Sequence, residues 1–389
     1  MNFYMPTRVY NEKDCVRRHS QELAALGSRA LIVTGRRSSR INGSLQDVEE
    51  ALSRERIPYT VFHEIEENPS VNTVMRARAI GIAEKADFVI GVGGGSPMDA
   101  SKAIALMIAN PERDAGFLYE TQGGSGRKTA YPALPVAAVP TTAGTGSEVT
   151  PYAILTRNVL PEAVLSIAPG EGAQDALAHL GKQTKQGISH RIFPALALVD
   201  TQYLQTASRS GCVNTAVDTL AHLIESYLNT NATAYSRDFA ELGLRIWGQE
   251  KDRLLSYEIG EEERERLMHA CTLGGIAISH TGTSLPHGLS YTVTCELGMP
   301  HGKAAAIFLP GFLANYGDQD GAQRVLSMLG FGSAQSFSEY LRALLGETKL
   351  SQELWEQAMD ELLSNPAKLK NYPFQLDREK LNRLRPESR

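Results

Sequence analysis

The stretch Ala86-Asp-Phe-Val-Ile-Gly-Val-Gly-Gly-Gly-Ser-Pro97 decides the fold. Ala86–Val92 is nearly all apolar and lacks polar alternation, the pattern of a strand buried on both faces. Gly93-Gly-Gly-Ser96 ends that strand, and Pro97–Ala109 reads as a helix starting directly after it. Upstream the chain alternates in the same way. A leading helix is expected over Glu12–Leu26, a strand at Arg29–Thr34, a loop over Gly35–Gly43 and a helix carrying Leu45, Val48, Ala51 and Leu52. A strand at Tyr59–Phe62 and a helix over Val71–Lys85 follow, with further strands at Ala133–Val139, Tyr152–Thr156 and Ala195–Val199. Such strands separated by helices predict an α/β fold with a parallel, Rossmann-like sheet covered on both faces. Beyond Asp200 the strand signal fades, and helix follows helix around a Gly/Pro-rich segment at 281–302. The boundary is expected near Phe193–Asp200, dividing an α/β domain, 1–196, from an all-α domain, 197–389.

The 389 residues suffice for two domains with cores of their own. Net charge is −5 with both signs interspersed and no basic block, which argues against a nucleic-acid partner. The N-terminus shows no basic region followed by an apolar run, so no signal peptide is expected, and apolar runs fall far short of a membrane span. Cys15, Cys212, Cys271 and Cys295 are scattered without CxxC pairing, which fits a reducing compartment. A soluble cytoplasmic protein with a small-molecule substrate is expected, assembled as a homo-oligomer, a dimer or larger.

Two loops carry chemistry. Gly93-Gly-Gly-Ser96 lies between a strand and a helix N-terminus, where close backbone approach and free N–H groups favour a phosphate. It is not GxGxxG after the first strand, and a tight turn explains many such sequences. The second loop, Pro140-Thr-Thr-Ala-Gly-Thr-Gly-Ser-Glu148, offers four hydroxyls and two glycines and reads as a cradle for pyrophosphate and ribose.

Farther on, Asp218 and His222 are four residues apart in Thr215–Tyr227, whose apolar periodicity predicts a helix. A carboxylate and an imidazole at that spacing share one face and can grip one metal ion. His287 and His301 follow, each in a Pro-His-Gly triplet. One carboxylate with three imidazoles suits Fe(II), Zn(II) or Mn(II). Taken singly, an Asp–His pair is more often solvated or capping, and a His beside Gly is usually part of a turn.

The ordered set Gly91–Ala105, Pro140–Thr150, the Asp218/His222 helix, Leu285-Pro-His-Gly288 and Met299-Pro-His-Gly-Lys-Ala304 resembles the iron-dependent (group III) alcohol dehydrogenase family, over about residues 33–310. The resemblance implies a dehydroquinate synthase-like architecture: an N-terminal α/β dinucleotide-binding domain, an all-helical catalytic domain, and a metal in the cleft between them. It implies reversible NAD(P)-dependent alcohol/aldehyde oxidoreduction with Fe(II), or Zn(II), held by Asp218, His222, His287 and His301. It further implies cofactor contacts from Gly94, Gly95, Ser96, Asp99, Thr141, Thr142 and Thr145, with Asn68 near the adenine side, and from Lys185.

Many members of that family carry a second histidine four residues after the first of the Pro-His-Gly ligands; here Tyr291 stands there. A phenol with a pKa near ~10 relays protons less readily than imidazole. His280 is an alternative relay, or simply a capping residue. NAD-preferring relatives often place an Asp after the first strand. Here Gly35 is followed by Arg36, Arg37, Ser38 and Ser39, favouring a 2′-phosphate and hence NADP(H) over NAD(H). Residues 159–181, including Ala163–Gly170 and a helix-like Ala173–Leu180, depart from the family and leave the placement of Lys185 open. Ile276, Ile278, Leu285 and Leu289 suggest an apolar pocket for a short-chain primary alcohol or diol. The alternatives are a zinc-dependent glycerol-type polyol dehydrogenase and a non-catalytic nucleotide- and metal-binding scaffold.

Overall fold

The computed structural model describes residues 3–120, 132–159 and 182–386, with only the backbone at 158, 159, 182 and 183. Strands β1 (Arg8–Asn11), β2 (Ala30–Gly35), β3 (Tyr59–Ile65), β4 (Phe88–Gly93), β5 (Val136–Pro140) and β8 (Leu196–Val199) form one sheet in the order β1-β8-β5-β4-β2-β3. Every pairing in it is parallel. Strands β6 (Ile154–Val159) and β7 (Lys182–Gly187) form a separate antiparallel pair.

The central strands lack polar alternation because both faces are covered. Leu31, Val33, Val89 and Val136 enter one core, while Ala30, Ile32, Ile90, Val92 and Val139 enter the other. Each large apolar side chain so buried contributes about 1.5–3 kcal/mol. The covering helices in the first half include α1 (Cys15–Arg18), α2 (Ser20–Ala24), α3 (Ser38–Ile41), α4 (Ser44–Arg54), α5 (Val71–Ala83) and α6 (Gly95–Ala109).

The leading helix expected over Glu12–Leu26 is two short ones, broken at His19 (φ −111°, ψ 32°). The His19 ring sits 2.6 Å from Glu12 Oε1, 3.3 Å from Glu22 Oε1, and stacks on Tyr10 at 3.6 Å. Local side-chain bonds of this kind compete with a continuous helix. The edge strand β1 and the short α3 within the expected loop are additions. Residues 160–181, and with them Ala163–Gly170 and Ala173–Leu180, lie outside the described residues.

From Arg209 the described chain is helical: α7 (Arg209–Tyr227), α8 (Ala234–Ser256), α9 (Glu261–Thr281), α10 (Leu285–Leu297), α11 (His301–Ala306), α12 (Leu309–Ala314), α13 (Gln319–Met328), α14 (Ala334–Leu345), α15 (Gln352–Leu363), α16 (Pro366–Leu369) and α17 (Arg378–Asn382). They enclose a third core around Leu220, Leu223, Trp247 and Phe308. Trp247 Nε1 donates to Ala216 O at 2.7 Å, fixing α8 against the middle of α7. Among the described residues no helix is long and apolar enough to cross a membrane.

Ile90 is fully buried in β4, with paired strands on both sides. Ile90→Ala is expected to destabilise the fold by about 2–5 kcal/mol, read as a lowered urea midpoint.

Candidate metal centre and nucleotide cradle

Helix α7 presents Asp218, His222 and Glu225 along one face, at spacings of four and three residues, and all three are buried. Helix α10 begins at Leu285 with Pro286 in its first turn, leaving early N–H groups free for an external acceptor. Glu225 supplies it: Ser284 N donates to Oε2 and His287 N donates to Oε1 at 3.1 Å. The same Oε1 accepts from His287 Nδ1 at 2.6 Å, which turns Nε2 of that ring towards Asp218. Gly302 lets α11 come against α7. A Cβ there would lie 1.9 Å from Asn214 O and 3.0 Å from the Asp218 Cβ.

Four side chains converge as a result. Asp218 Oδ1 lies 3.4 Å from His287 Nε2, and 3.9 Å from Nε2 of both His222 and His301. Potential ligand atoms of Asp218, His222 and His287 all fall within 4.8 Å of one another. Asp218 Oδ1 and His287 Nε2 are buried without a hydrogen-bond partner among the described residues. Burying polar atoms unpaired costs about 1–3 kcal/mol each, so their convergence fits a cation better than a self-contained network.

The electrostatics agree. Burial pushes His222 down to about 4, and burial with the Lys185 charge holds His301 well below its usual range. Burial works against the Asp218 carboxylate, but the His222, His287 and His301 rings hold it well below the usual range. His287 goes the other way. Burial would lower it, yet Glu225 and Asp218 on either side push it up to about 9. A proton at that ring supplies the positive charge that a divalent ion would supply instead.

The loops after β2, β4 and β5 meet at the C-terminal ends of those strands, where open parallel sheets bind ligands. Gly94 and Gly95 are closely packed there: a Cβ would lie 3.1 Å from Thr142 Oγ1 at the first and 2.5 Å from Thr145 Cγ2 at the second. Ser96 Oγ accepts from Asn68 N at 3.2 Å, and Asn68 is itself left-handed (φ 56°). Thr141 N donates to Gly93 O at 2.9 Å. Thr219 Oγ1 donates to Gly144 O at 3.1 Å and Ala143 O at 3.3 Å, tying the threonine-rich loop to the helix turn beside Asp218.

Asp99 lies beneath this cradle. Its oxygens accept from Ser147 Oγ at 2.6 Å and Ile154 N at 2.9 Å. Lys102, fully buried, donates to Ser147 Oγ at 2.7 Å and Tyr152 O at 2.8 Å, and burial pushes its ammonium down to about 8. Gly35 closes β2, and Arg36, Arg37 and Ser38 are exposed just beyond it.

Tyr291 stacks on the His301 ring at 5.9 Å, with Lys368 Nζ 5.2 Å and Lys185 Nζ 5.9 Å from its centroid. Lys185 pairs with Thr156 across the β6–β7 ladder. Burial lowers its pKa, partly offset by Asp218. His280 is not brought to the cluster. Its Nδ1 lies 2.8 Å from Ile276 O, its Nε2 accepts from Tyr4 N at 3.3 Å, and Phe3 stacks on its ring. Leu285 and Leu289, expected to flavour a substrate pocket, are fully buried in the helical core. Glu225 and Thr219 were not singled out by sequence reasoning. Only Glu225 left a signal there, its position seven residues after Asp218 on the same helix face.

Residues 6–167 match the family described as iron-containing alcohol dehydrogenase, and residues 212–371 match the C-terminal part of the Fe-containing alcohol dehydrogenase family. A solved iron-containing alcohol dehydrogenase from Thermotoga maritima is 33% identical, covers 98% of each chain and superposes with a TM-score of 0.84. The probable alcohol dehydrogenase EutG of Salmonella typhimurium is 30% identical over 242 residues, 62% of this chain and 54% of that protein. Aldehyde-alcohol dehydrogenase 2 of Entamoeba histolytica is 27% identical over 323 residues, 79% of this chain and 33% of that protein. The chain spans between about a third and about half the length of the curated relatives it matches.

Glu225→Ala removes the group that orients His287 and caps α10. Affinity for added divalent metal, measured by chelator competition, is expected to fall about 10–100-fold.

Proposed function

The chain belongs to the iron-containing alcohol dehydrogenase family, and on that premise we propose that it is a metal-dependent, NAD(P)-linked alcohol dehydrogenase. The reading interconverts a short-chain primary alcohol or diol with its aldehyde. The observation that carries it is the convergence of Asp218, His222 and His287 within 4.8 Å, with Asp218 Oδ1 and His287 Nε2 buried and unpaired.

In this reading Asp218, His222, His287 and His301 hold the cation, and their donor set suits iron or zinc. When bound, the metal supplies Lewis acidity at the substrate oxygen and the nicotinamide supplies or accepts hydride. Glu225 keeps the Nδ1 proton of His287 in place, leaving Nε2 as the donor atom. Gly93–Ser96 and Pro140–Glu148 hold the cofactor phosphates, and Thr219 keeps that cradle at a set distance from Asp218. Lys185, beside the Tyr291 ring, is the cation we assign to contact with cofactor and substrate. Tyr291, stacked on His301, is the hydroxyl we assign to proton transfer to and from the substrate oxygen. His280 takes no part, since both its nitrogens are engaged by backbone.

We assign NADP(H) over NAD(H). The support is the lack of a carboxylate at Gly35, with exposed Arg36, Arg37 and Ser38 at the end of β2. We also assign the cradle to a domain spanning 1–196 and the metal cluster to one spanning 197–389.

Protein reconstituted anaerobically with ferrous iron, and in parallel with zinc, is expected to oxidise NADPH with butyraldehyde. Chelation should abolish turnover and added metal should restore it. Silence with both metals and both cofactors, in folded protein, would overturn the activity. Highest kcat/KM for charged or polyhydroxylated aldehydes would overturn only the substrate class. Gly35→Asp should move the NADPH/NADH ratio of kcat/KM towards NADH, and an unchanged ratio would remove the cofactor assignment.

A further inference from the structure

A concavity of about 160 Å³ lies in the helical half between α12, α14 and the segment Arg383–Pro386. None of its lining residues belongs to the metal cluster or the nucleotide cradle. Its apolar lining comes from Ile307, Pro310, Leu341 and Leu345. Four cations, Arg342, Lys349, Arg383 and Arg385, line it against one carboxylate, Glu347. On a chain of net charge −5 this is a local reversal of sign.

Among the described residues most of that positive charge is unmatched. Arg383 pairs with Glu379 at 2.8 Å. Arg385, in contrast, donates only to neutral oxygens, Gln352 Oε1 at 2.6 Å and Leu350 O at 2.7 Å. Arg342 and Lys349 make no ion pair or side-chain hydrogen bond among the described residues. Thr348 Oγ1, also in the lining, is buried without a partner. Unpaired cations, a hydroxyl free to donate and an apolar wall are the complement of an anion carried on a small apolar body.

We propose that this cleft binds a small organic anion. Its apolar body lies against Ile307 and Leu341, and its carboxylate or phosphate lies among Arg342, Lys349, Arg385 and the Thr348 hydroxyl. A guanidinium fork matches the paired oxygens of either group. The enclosed part of the cleft is about the size of a cavity that holds a benzene ring. A single ring or short chain bearing one anionic group fits that space.

Isothermal titration of the full-length protein with benzoate and with phenyl phosphate tests this without relying on catalysis. Saturable one-to-one binding is expected for at least one probe, weakened by added sodium chloride. The Arg342→Gln/Lys349→Gln double variant should weaken it about tenfold or more. Tighter phenyl phosphate identifies a phosphate ester as the natural class, and tighter benzoate a carboxylate. Thr348→Val, which leaves every charge in place, should weaken binding by a few-fold and guards against misfolding of the double variant. Absence of saturable binding by both probes, or binding that all these variants leave unchanged, would overturn the proposal.

Discussion

One buried carboxylate holds the centre together. Glu225 accepts from the backbone of Ser284 and His287 and from the His287 ring, so a single side chain fixes a helix start, an imidazole orientation and the distance between α7 and α10. A buried carboxylate is costly unless such donors surround it. Burial would raise its pKa, but the His287 charge and these hydrogen bonds hold it below the usual range. The four-residue cluster follows from this constraint, because Asp218 and His222 sit on the helix that carries Glu225.

The nucleotide cradle is attached to the same helix. Thr219 bonds two carbonyls of the threonine-rich loop, and Gly144 approaches Thr215 closely enough that a Cβ would lie 2.7 Å from its side chain. From below, Lys102 and Asp99 grip Ser147. Glu148 reaches across to Thr272 Oγ1 on α9 at 3.1 Å. The loop is therefore suspended between α6 of the sheet and α7 and α9 of the helical half. The proposed hydride transfer would depend on a reacting distance of about 3–3.5 Å, and a loop anchored on both sides suits such a tolerance.

Much of this was legible in the chain itself. Strands β2, β4 and β8 announce themselves because burial on both faces leaves no polar alternation, and the Asp218/His222 spacing fixes a shared helix face. His287 and His301 stand out in their Pro-His-Gly triplets, and the family resemblance joined them to Asp218 and His222 as one ligand set. Other features depend on contacts distant in sequence. Glu225 acquires its role from Ser284 and His287, about sixty residues on. Strand β1 reads Arg-Val-Tyr-Asn and owes its extension to pairing with β8. The break at His19 comes from two carboxylates and a tyrosine closing on one ring. His280 looked available as an isolated imidazole, but the N-terminal segment folds over it.

Gly302 places a different kind of limit on this protein. Its α-carbon sits so close to Asn214 O that even a methyl group would have to push α11, and His301 with it, away from α7. Glycine is the one residue without a Cβ, so every amino-acid replacement reachable by a single codon change adds the atom that does not fit. A lineage that keeps His301 beside Asp218 therefore keeps this glycine with it.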